Sequence, residues 1–389
     1  MNQRDKWVEI DFAKILNNLY EVRSLLPAEV RLIAVIKADA YGHGAVKTAQ
    51  LLSANGVDFL AVTYLEEALT LREAGIDKQI MIFSPLNESE QYITALEQNI
   101  TLTISSIREG QELDRISRGM ENKGKVHLKI DTGLGRFGLN AAEAIQICQT
   151  FKENHYIEIE GIYTHMADAA NSEKYTQQQF RDFIKIAAGL EKEGYKFSLK
   201  HCANSAVFLQ YPHMYLQAVR IGTLLTGQQP AGKFSTTLNL QDPYKFKSRI
   251  IAVHHREKGS YLGYYRTYRL KQAAQIAVIP VGYVDGLALT VQNPPTGFLD
   301  MLKLLLKQLF GYLGIKKYSM LVKIRGAYFP IRGKVFMQNC LAEIPEDFPV
   351  MAGDEVELPV RKTLADKSIA HVYMNEAGVY SREKNYFRV

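Results

Sequence analysis

The sequence predicts an α/β protein: an N-terminal (β/α)8 barrel of the TIM type, followed by a mainly β domain. Three observations lead there. Up to about Gly227, short apolar runs alternate with longer amphipathic segments, and eight such units fit. Strands alternating with helical patterns form parallel sheets, and eight units are the number that closes a barrel. Past about Thr236 the texture changes, and strand-like runs crowd together with few helical segments between them.

The elements follow in order. "KWVEI" reads as a strand that the barrel does not need, so residues 1–10 are free to join the second domain. "DFAKILNNLYEVRSLL" is an amphipathic helix. The barrel strands are then "RLIAVIK", "DFLAVT", "KQIMIFS", "ITLTIS", "KVHLKIDT", "IEIEGIYTH", "KFSLKHCANS" and "QAVRIGTLL". Helical patterns such as "YLEEALTLREAG" and "NAAEAIQICQTFKEN" separate them. No GxGxxG turn follows the first of these strands, which tells against an open doubly wound sheet. The barrel is expected over 8–236 and the β domain over 237–389. In the latter, "YKFKSRIIAVHH", "AAQIAVIPVGY", "SMLVKIRGAYFPIRGKVFM" and "GDEVELPV" are the strand-like runs. One segment breaks the pattern: 298–313, "FLDMLKLLLKQLFGYL", reads as a helix with a narrow polar stripe of Asp300, Lys303 and Lys307. It is expected to pack on the domain or at a subunit contact, with a membrane-surface helix as the sharper reading.

Composition narrows the function classes. The chain has 389 residues, of which 47% are hydrophobic and 23% charged, the balance of a globular protein with sizeable cores. The net charge of +6 is scattered rather than blocked, so no nucleic-acid partner is expected. Three cysteines, Cys148, Cys202 and Cys340, form no CxxC pair, so neither a disulfide framework nor a metal site is expected. The start lacks the regions of a secretory leader, and no window reaches the ~18 apolar residues of a membrane span. A cytoplasmic location is expected.

In a (β/α)8 barrel the active site lies at the C-terminal ends of the strands. There stand Lys37 and Tyr41 after the first strand, Lys129 and Arg136 after the fifth, and His165 after the sixth. Asn204 and Ser205 follow the seventh, and Arg220, Gly222 and Thr223 belong to the eighth. A lysine in a partly apolar pocket among other cations has its pKa lowered and becomes a nucleophile or base. The Tyr41 and Ser205 hydroxyls and the Gly222 and Thr223 amides are suited to cradle a phosphate. Lysine plus phosphate cradle in a barrel points to pyridoxal phosphate (PLP), bound as a Schiff base.

"AVIKADAYGHGA" resembles the PLP-lysine motif of alanine racemases. "KIDTGLGRFG", "GIYTHMADA", "ANSAVFL", "VRIGTLLTG", "LGYYRTY" and "IPVGYVDG" follow in the order of that family, over roughly 7–290. The resemblance implies a PLP barrel plus a β domain and an amino-acid substrate. It also implies a homodimer with shared active sites and D-alanine supply for peptidoglycan. By resemblance, Lys37 is the Schiff-base lysine and the base on the D face of Cα. Tyr264 is the base on the L face, reaching into the partner's site. Two bases on opposite faces are what racemisation needs. Arg220 resembles the arginine contacting the pyridine nitrogen, which stays unprotonated because arginine keeps its proton. His165 resembles the histidine bonded to that arginine. Arg136 resembles the arginine near the substrate carboxylate, and Lys129 the lysine that many members carry carbamylated; a plain ion pair with Asp131 is the alternative. Tyr41, Asn204, Ser205, Gly222 and Thr223 fall at the cofactor site. Tyr283 resembles the tyrosine of the substrate entrance, Met337 the methionine near the substrate, and Tyr373 the last phosphate-contacting tyrosine. His43 reads as structural, and His201 and Cys202 as barrel-end packing.

The chain also departs from the family pattern. "GKVFMQN" has Gln338 where Asp is usual, and the 298–313 helix sits in an extra stretch. These leave open a racemase of serine, lysine or a wider range of amino acids. A barrel-type PLP decarboxylase places an acid at the pyridine nitrogen, against Arg220. A PLP-carrier protein lacks the second domain.

Overall fold

The computed structural model describes residues 5–292, 294–295, 297–312, 319–375 and 378–383. The chain divides into two compact units: Phe12–Asp242, and Met1–Asp11 together with Pro243–Val389. A first strand, β1 (Lys6–Asp11), thus belongs to the second unit.

The first unit is the barrel. Its strands are β2 (Arg31–Val35), β3 (Phe59–Val62), β4 (Gln79–Ile82), β5 (Ile100–Ile104), β6 (Gly124–Lys129), β7 (Ile157–Tyr163), β8 (Leu199–His201) and β9 (Ala218–Ile221). They lie in the order β8-β7-β6-β5-β4-β3-β2-β9, and each of the paired neighbours is parallel. The ring closes where Ala203 bridges Val219 and the Arg220 amide donates to the Ala203 carbonyl at 2.9 Å. Every position of β3 and β5 is buried, because barrel strands are covered on both faces. The outer helices start on polar caps. Asn140 Oδ1 accepts from the Glu143 amide at 3.0 Å while Glu143 Oε2 accepts from the Asn140 amide at 2.8 Å.

The boundary expected at 236/237 falls short of the division at Asp242/Pro243. The intervening residues are tied to the first helix, Phe12–Leu25. Buried Asn18 donates to the Gln241 carbonyl at 2.8 Å and accepts from the Gln241 amide at 2.8 Å, and Glu21 accepts from the Asn239 amide.

The second unit is mainly β. It contains β10 (Tyr244–Arg249), β11 (Ala252–Arg256), β12 (Tyr261–Leu262), β13 (Tyr268–Arg269), β14 (Ala274–Ile279), β15 (Leu321–Ile324), β16 (Ala327–Pro330), β17 (Cys340–Ile344), β18 (Glu355–Leu358), β19 (His371–Asn375) and β20 (Gly378–Glu383). Among the described residues, one sheet runs β16-β15-β18-β10-β1-β19-β20 and a second β11-β14-β17. β1 pairs antiparallel with β10 and parallel with β19, so the N-terminal strand is central to its sheet. The expected 298–313 helix spans Phe298–Tyr312, and Leu313 lies outside the described residues. Residues 301–309 of this helix are all exposed.

Candidate active site

The strand-end residues do converge. A cavity of about 340 Å³ opens in the barrel unit, and its lining includes Lys37, Tyr41, Lys129, Arg136, His165, Asn204, Ser205, Arg220, Gly222 and Thr223. No carboxylate is among its lining residues. A cavity with this many cations and no acid is built for an anion.

Lys37 leaves β2 into a backbone that the sequence did not foreshadow. Ala38, Asp39, Ala40 and Tyr41 all adopt φ between 51 and 56°, a full left-handed turn of non-glycine residues. Such a turn costs roughly 1–2 kcal/mol per residue, so it persists only where partners over-determine it. Glu67 is one of them: Oε1 accepts from the Ala38 amide at 2.6 Å, and Oε2 from the Thr63 and Tyr64 amides. Asp39 is another, accepting from the Ala45 amide at 2.7 Å. The turn fixes Lys37 and Tyr41 at the mouth of one cavity. Burial lowers the Lys37 pKa, Arg136 lowers it further, and Glu67 opposes both.

Four hydrogen-bonding groups face that cavity without a protein partner among the described residues: the Tyr41 and Ser205 hydroxyls and the Gly222 and Thr223 amides. Burial, then Glu67, raises the Tyr41 pKa to about 12, so the phenol keeps its proton and remains a donor. A Cβ on Gly222 would stand 2.3 Å from the Tyr41 hydroxyl oxygen, so only glycine lets the two approach. Asn204 has a different task. Its Oδ1 caps the Ser205–Gln210 helix by accepting from the Ala206 and Val207 amides.

Arg220 is buried at the cavity wall. Its Nη2 donates to the Thr164 carbonyl at 2.8 Å and its Nη1 to His201 Nδ1 at 2.6 Å. The expected partner His165 is the more distant of the two histidines, at 3.4 Å. His201 is therefore not mere packing; it starts a relay. Arginine can only donate, so His201 Nδ1 accepts and its Nε2 carries the proton. That Nε2 donates to His127 Nδ1 at 2.8 Å, and His127 Nε2 donates to Glu160 Oε2 at 2.9 Å. Lys125 and Gln79 also donate to Glu160. Burial lowers the pKa of both histidines, keeping them neutral. Burial alone raises the Glu160 pKa, but the donors from His127 and Lys125 outweigh it and hold it at about 2. A guanidinium at the cavity is thus wired through two neutral imidazoles to a buried carboxylate. His127 was missed, although it stands two residues before Lys129 on the same inward face of β6.

Lys129 is 2% exposed, and its Nζ has no hydrogen-bond partner. It lies 3.4 Å from the centre of the Phe137 ring, beside Arg136. Burial, then Arg136, lowers its pKa to about 8. Asp131, its alternative partner, instead accepts from the Gly133, Leu134 and Gly135 amides. His165 is held neutral by burial and then by Arg220, with a pKa of about 3.

The remaining candidates belong to the second unit and are not among the residues lining this cavity. Three of them gather around Phe336. The Tyr264 ring lies 5.2 Å from the Phe336 ring. The Tyr283 amide donates to the Phe336 carbonyl, and the Val284 amide to the Met337 carbonyl. Tyr264 is 66% exposed, and its hydroxyl has no partner among the described residues. Its neighbours are occupied: Tyr268 donates to Glu343, Lys334 sits over Tyr265, and Arg266 and Arg269 flank Tyr261. Tyr373 stands apart from this group. It is 1% exposed, in the core of its sheet on β19.

Comparison with known proteins follows this division. Residues 10–230 match the alanine racemase N-terminal domain and residues 244–383 the alanine racemase C-terminal domain. Alanine racemase 1 of Oceanobacillus iheyensis is 36% identical over 90% of this chain and 89% of its own. The alanine racemase of Methanococcus maripaludis is 33% identical over 90% and 87%. The structure of alanine racemase from Clostridium difficile 630 superposes with a TM-score of 0.88 at 28% identity, covering 100% of both chains.

Proposed function

The chain belongs to the alanine racemase family, and from that premise we propose that it interconverts L- and D-alanine with PLP. In this reading Lys37 and Tyr264 move the proton. The observation that carries it is the cationic cavity, in which a half-buried lysine faces four hydrogen-bonding groups without a partner among the described residues.

The residues fit the cofactor. Lys37 would hold it through an amine whose pKa burial and then Arg136 lower. Tyr41, Ser205, Gly222 and Thr223 would hold its phosphate, and Arg220 its ring nitrogen. Bound PLP would supply the electron sink that lets the Cα proton leave. Arg220, which never gives up its proton, keeps that sink weak and so favours return of the proton over transamination. Arg136 would pair with the substrate carboxylate. Lys129, unpaired and with its pKa lowered towards neutrality, is suited to take up carbon dioxide; the carbamate would turn a cation into an anionic partner for Arg136. Asn204 positions the helix that carries Ser205, and His165 supports Arg220.

Tyr264 offers a hydroxyl without a partner among the described residues, on an exposed turn. A homodimer in which each copy lends Tyr264, Tyr283 and Met337 to the other's cavity gives every site its second base. The product would serve peptidoglycan assembly, and the enzyme would work in the cytoplasm.

The test is a racemisation assay by circular dichroism across several L-amino acids, with borohydride reduction and peptide mapping alongside. Decay of the L-alanine signal, and a pyridoxyl mass on the Lys37 peptide, are the expected results. A stable signal with L-alanine and decay with L-serine or L-lysine would move the substrate, the reading that exposed Gln338 favours. No reducible mass on Lys37 would sink the cofactor assignment. Mixing Lys37→Ala and Tyr264→Phe subunits should restore part of the activity that each lacks. No restoration would refute shared sites.

A further inference from the structure

We propose that the helix Phe298–Tyr312 docks this protein on an anionic membrane surface, lying in the plane between headgroups and acyl chains. The helix is an island of apolar surface. Its exposure runs from 40% at Leu306 to 72% at Phe298, and Leu299, Leu302, Leu305 and Leu309 are exposed with them. Contiguous exposed apolar surface of this kind marks an interaction site.

The arrangement of residues around the axis says what covers it. At about 100° per residue, the exposed apolar residues run from Leu304 through Met301, Leu305, Phe298 and Leu302 to Leu299, about 220° of the cylinder. Asp300, Lys303 and Lys307 fall together in the remaining arc. A helix–helix seam with a second copy covers a narrower stripe and leaves its flanks wet. A bilayer surface covers half a cylinder at once, immersing it to about 5–10 Å. The length excludes crossing: 15 residues reach about 22 Å, short of the ~30 Å hydrocarbon core. Among the described residues no helix is long and apolar enough to span a membrane.

Charge selects the lipid. Between residues 297 and 319 the sequence carries Lys303, Lys307, Lys316 and Lys317 against one acid, Asp300. Lysines on the polar face of a surface helix reach back to lipid phosphates while their stems cover apolar area.

Co-sedimentation of the holoenzyme with vesicles tests this. It should pellet with phosphatidylglycerol–phosphatidylcholine vesicles and stay in solution with phosphatidylcholine alone, and added salt should release it. Removing two charges, Lys303→Gln with Lys307→Gln, should weaken partitioning roughly thirtyfold. Leu305→Glu with Leu309→Glu should abolish it, while racemisation in solution stays unchanged. Absence of wild-type binding to the anionic vesicles, or binding indifferent to the leucine pair, overturns the proposal. So does light scattering in which the leucine pair lowers the oligomeric state, because the face would then be a contact between copies.

Discussion

Lys37 and Tyr264, the two groups assigned to proton transfer, occupy regions built in opposite ways. Lys37 sits in the barrel's cavity, where burial, Arg136 and Glu67 together set its pKa. Its backbone is locked in a left-handed turn by Glu67 and Asp39. Tyr264 sits on a short exposed turn whose neighbours Tyr265 and Arg266 also take positive φ, 59° and 52°. Its ring touches Phe336, and its hydroxyl has no partner among the described residues. The barrel end prepares its chemistry within the chain. The tyrosine turn holds a side chain out for something else to complete. In the proposed dimer this side chain would complete the partner's cavity.

The sharpest way to break that contrast is Lys37→Ala. Losing both the cofactor anchor and one base should cut racemisation by about 10⁴-fold or more and abolish the borohydride-trapped mass. A rate near wild type would end the assignment. Tyr264→Phe should cost about 10²–10⁴-fold, with proton exchange at the Cα of one enantiomer lost before the other. Tyr265→Phe, one residue along and 86% exposed, should leave the rate within about threefold. If the two substitutions trade places, the turn presents the other tyrosine.

The two regions also differ in how much of them could be read from sequence. The rim residues were legible because strand ends of a (β/α)8 barrel face one opening, so counting runs places Lys37, Lys129, His165, Ser205 and Arg220 together. What lies behind the rim was not. An inward histidine such as His127 or His201 looks like core in a run of apolar residues. Only the closed barrel sets His201 at 2.6 Å from Arg220 and links it onward to Glu160. Nor was the turn after Lys37 legible, because four non-glycine residues, Ala38 to Tyr41, carry its strain. In the second unit, Tyr264, Tyr283, Met337 and Tyr373 were legible only through the family resemblance; the first three gather around Phe336, while Tyr373 is buried on β19.

Within the barrel, Gly222→Ala sharpens the phosphate reading. The new methyl would meet the Tyr41 hydroxyl oxygen at 2.3 Å, so cofactor affinity should fall by about 10- to 100-fold, as expected for an overpacked site. Combining it with Tyr41→Ala should cost less than the sum of the two, because each relieves the other's conflict. Strict additivity in equilibrium dialysis would separate the two groups.

Glu160→Gln tests the far end of the relay. Removing one partner from a buried charged network costs about 3–5 kcal/mol, visible as a lower thermal midpoint at neutral pH. The Glu160 pKa is lowered in the fold, from 4.5 to about 2. Its contribution is therefore present above about pH 4.5 and fades as pH falls towards 2. Wild type and variant should converge in stability across that window. A gap that stays constant on acidification would mean that Glu160 acts by packing alone.

The smallest effect belongs to Lys129, the buried cation without a hydrogen-bond partner. Its pKa falls from 10.5 to about 8 in the fold. Between those values the unfolded chain binds the proton more readily than the native one, so stability rises with pH across this window. Below about pH 8 the native state carries the full burden of a buried charge. Lys129→Met removes the burden, keeps the apolar stem against Phe137, and should raise stability by about 1 kcal/mol at pH 7 while flattening the rise above pH 8. Bicarbonate should act on the wild type in the same direction, because a carbamate replaces a repelled cation with an anion facing Arg136. A carbamate resonance in 13C-bicarbonate NMR, lost in Lys129→Met, would tie that stabilisation to this one amine. Equal stabilisation of both proteins by bicarbonate would detach it.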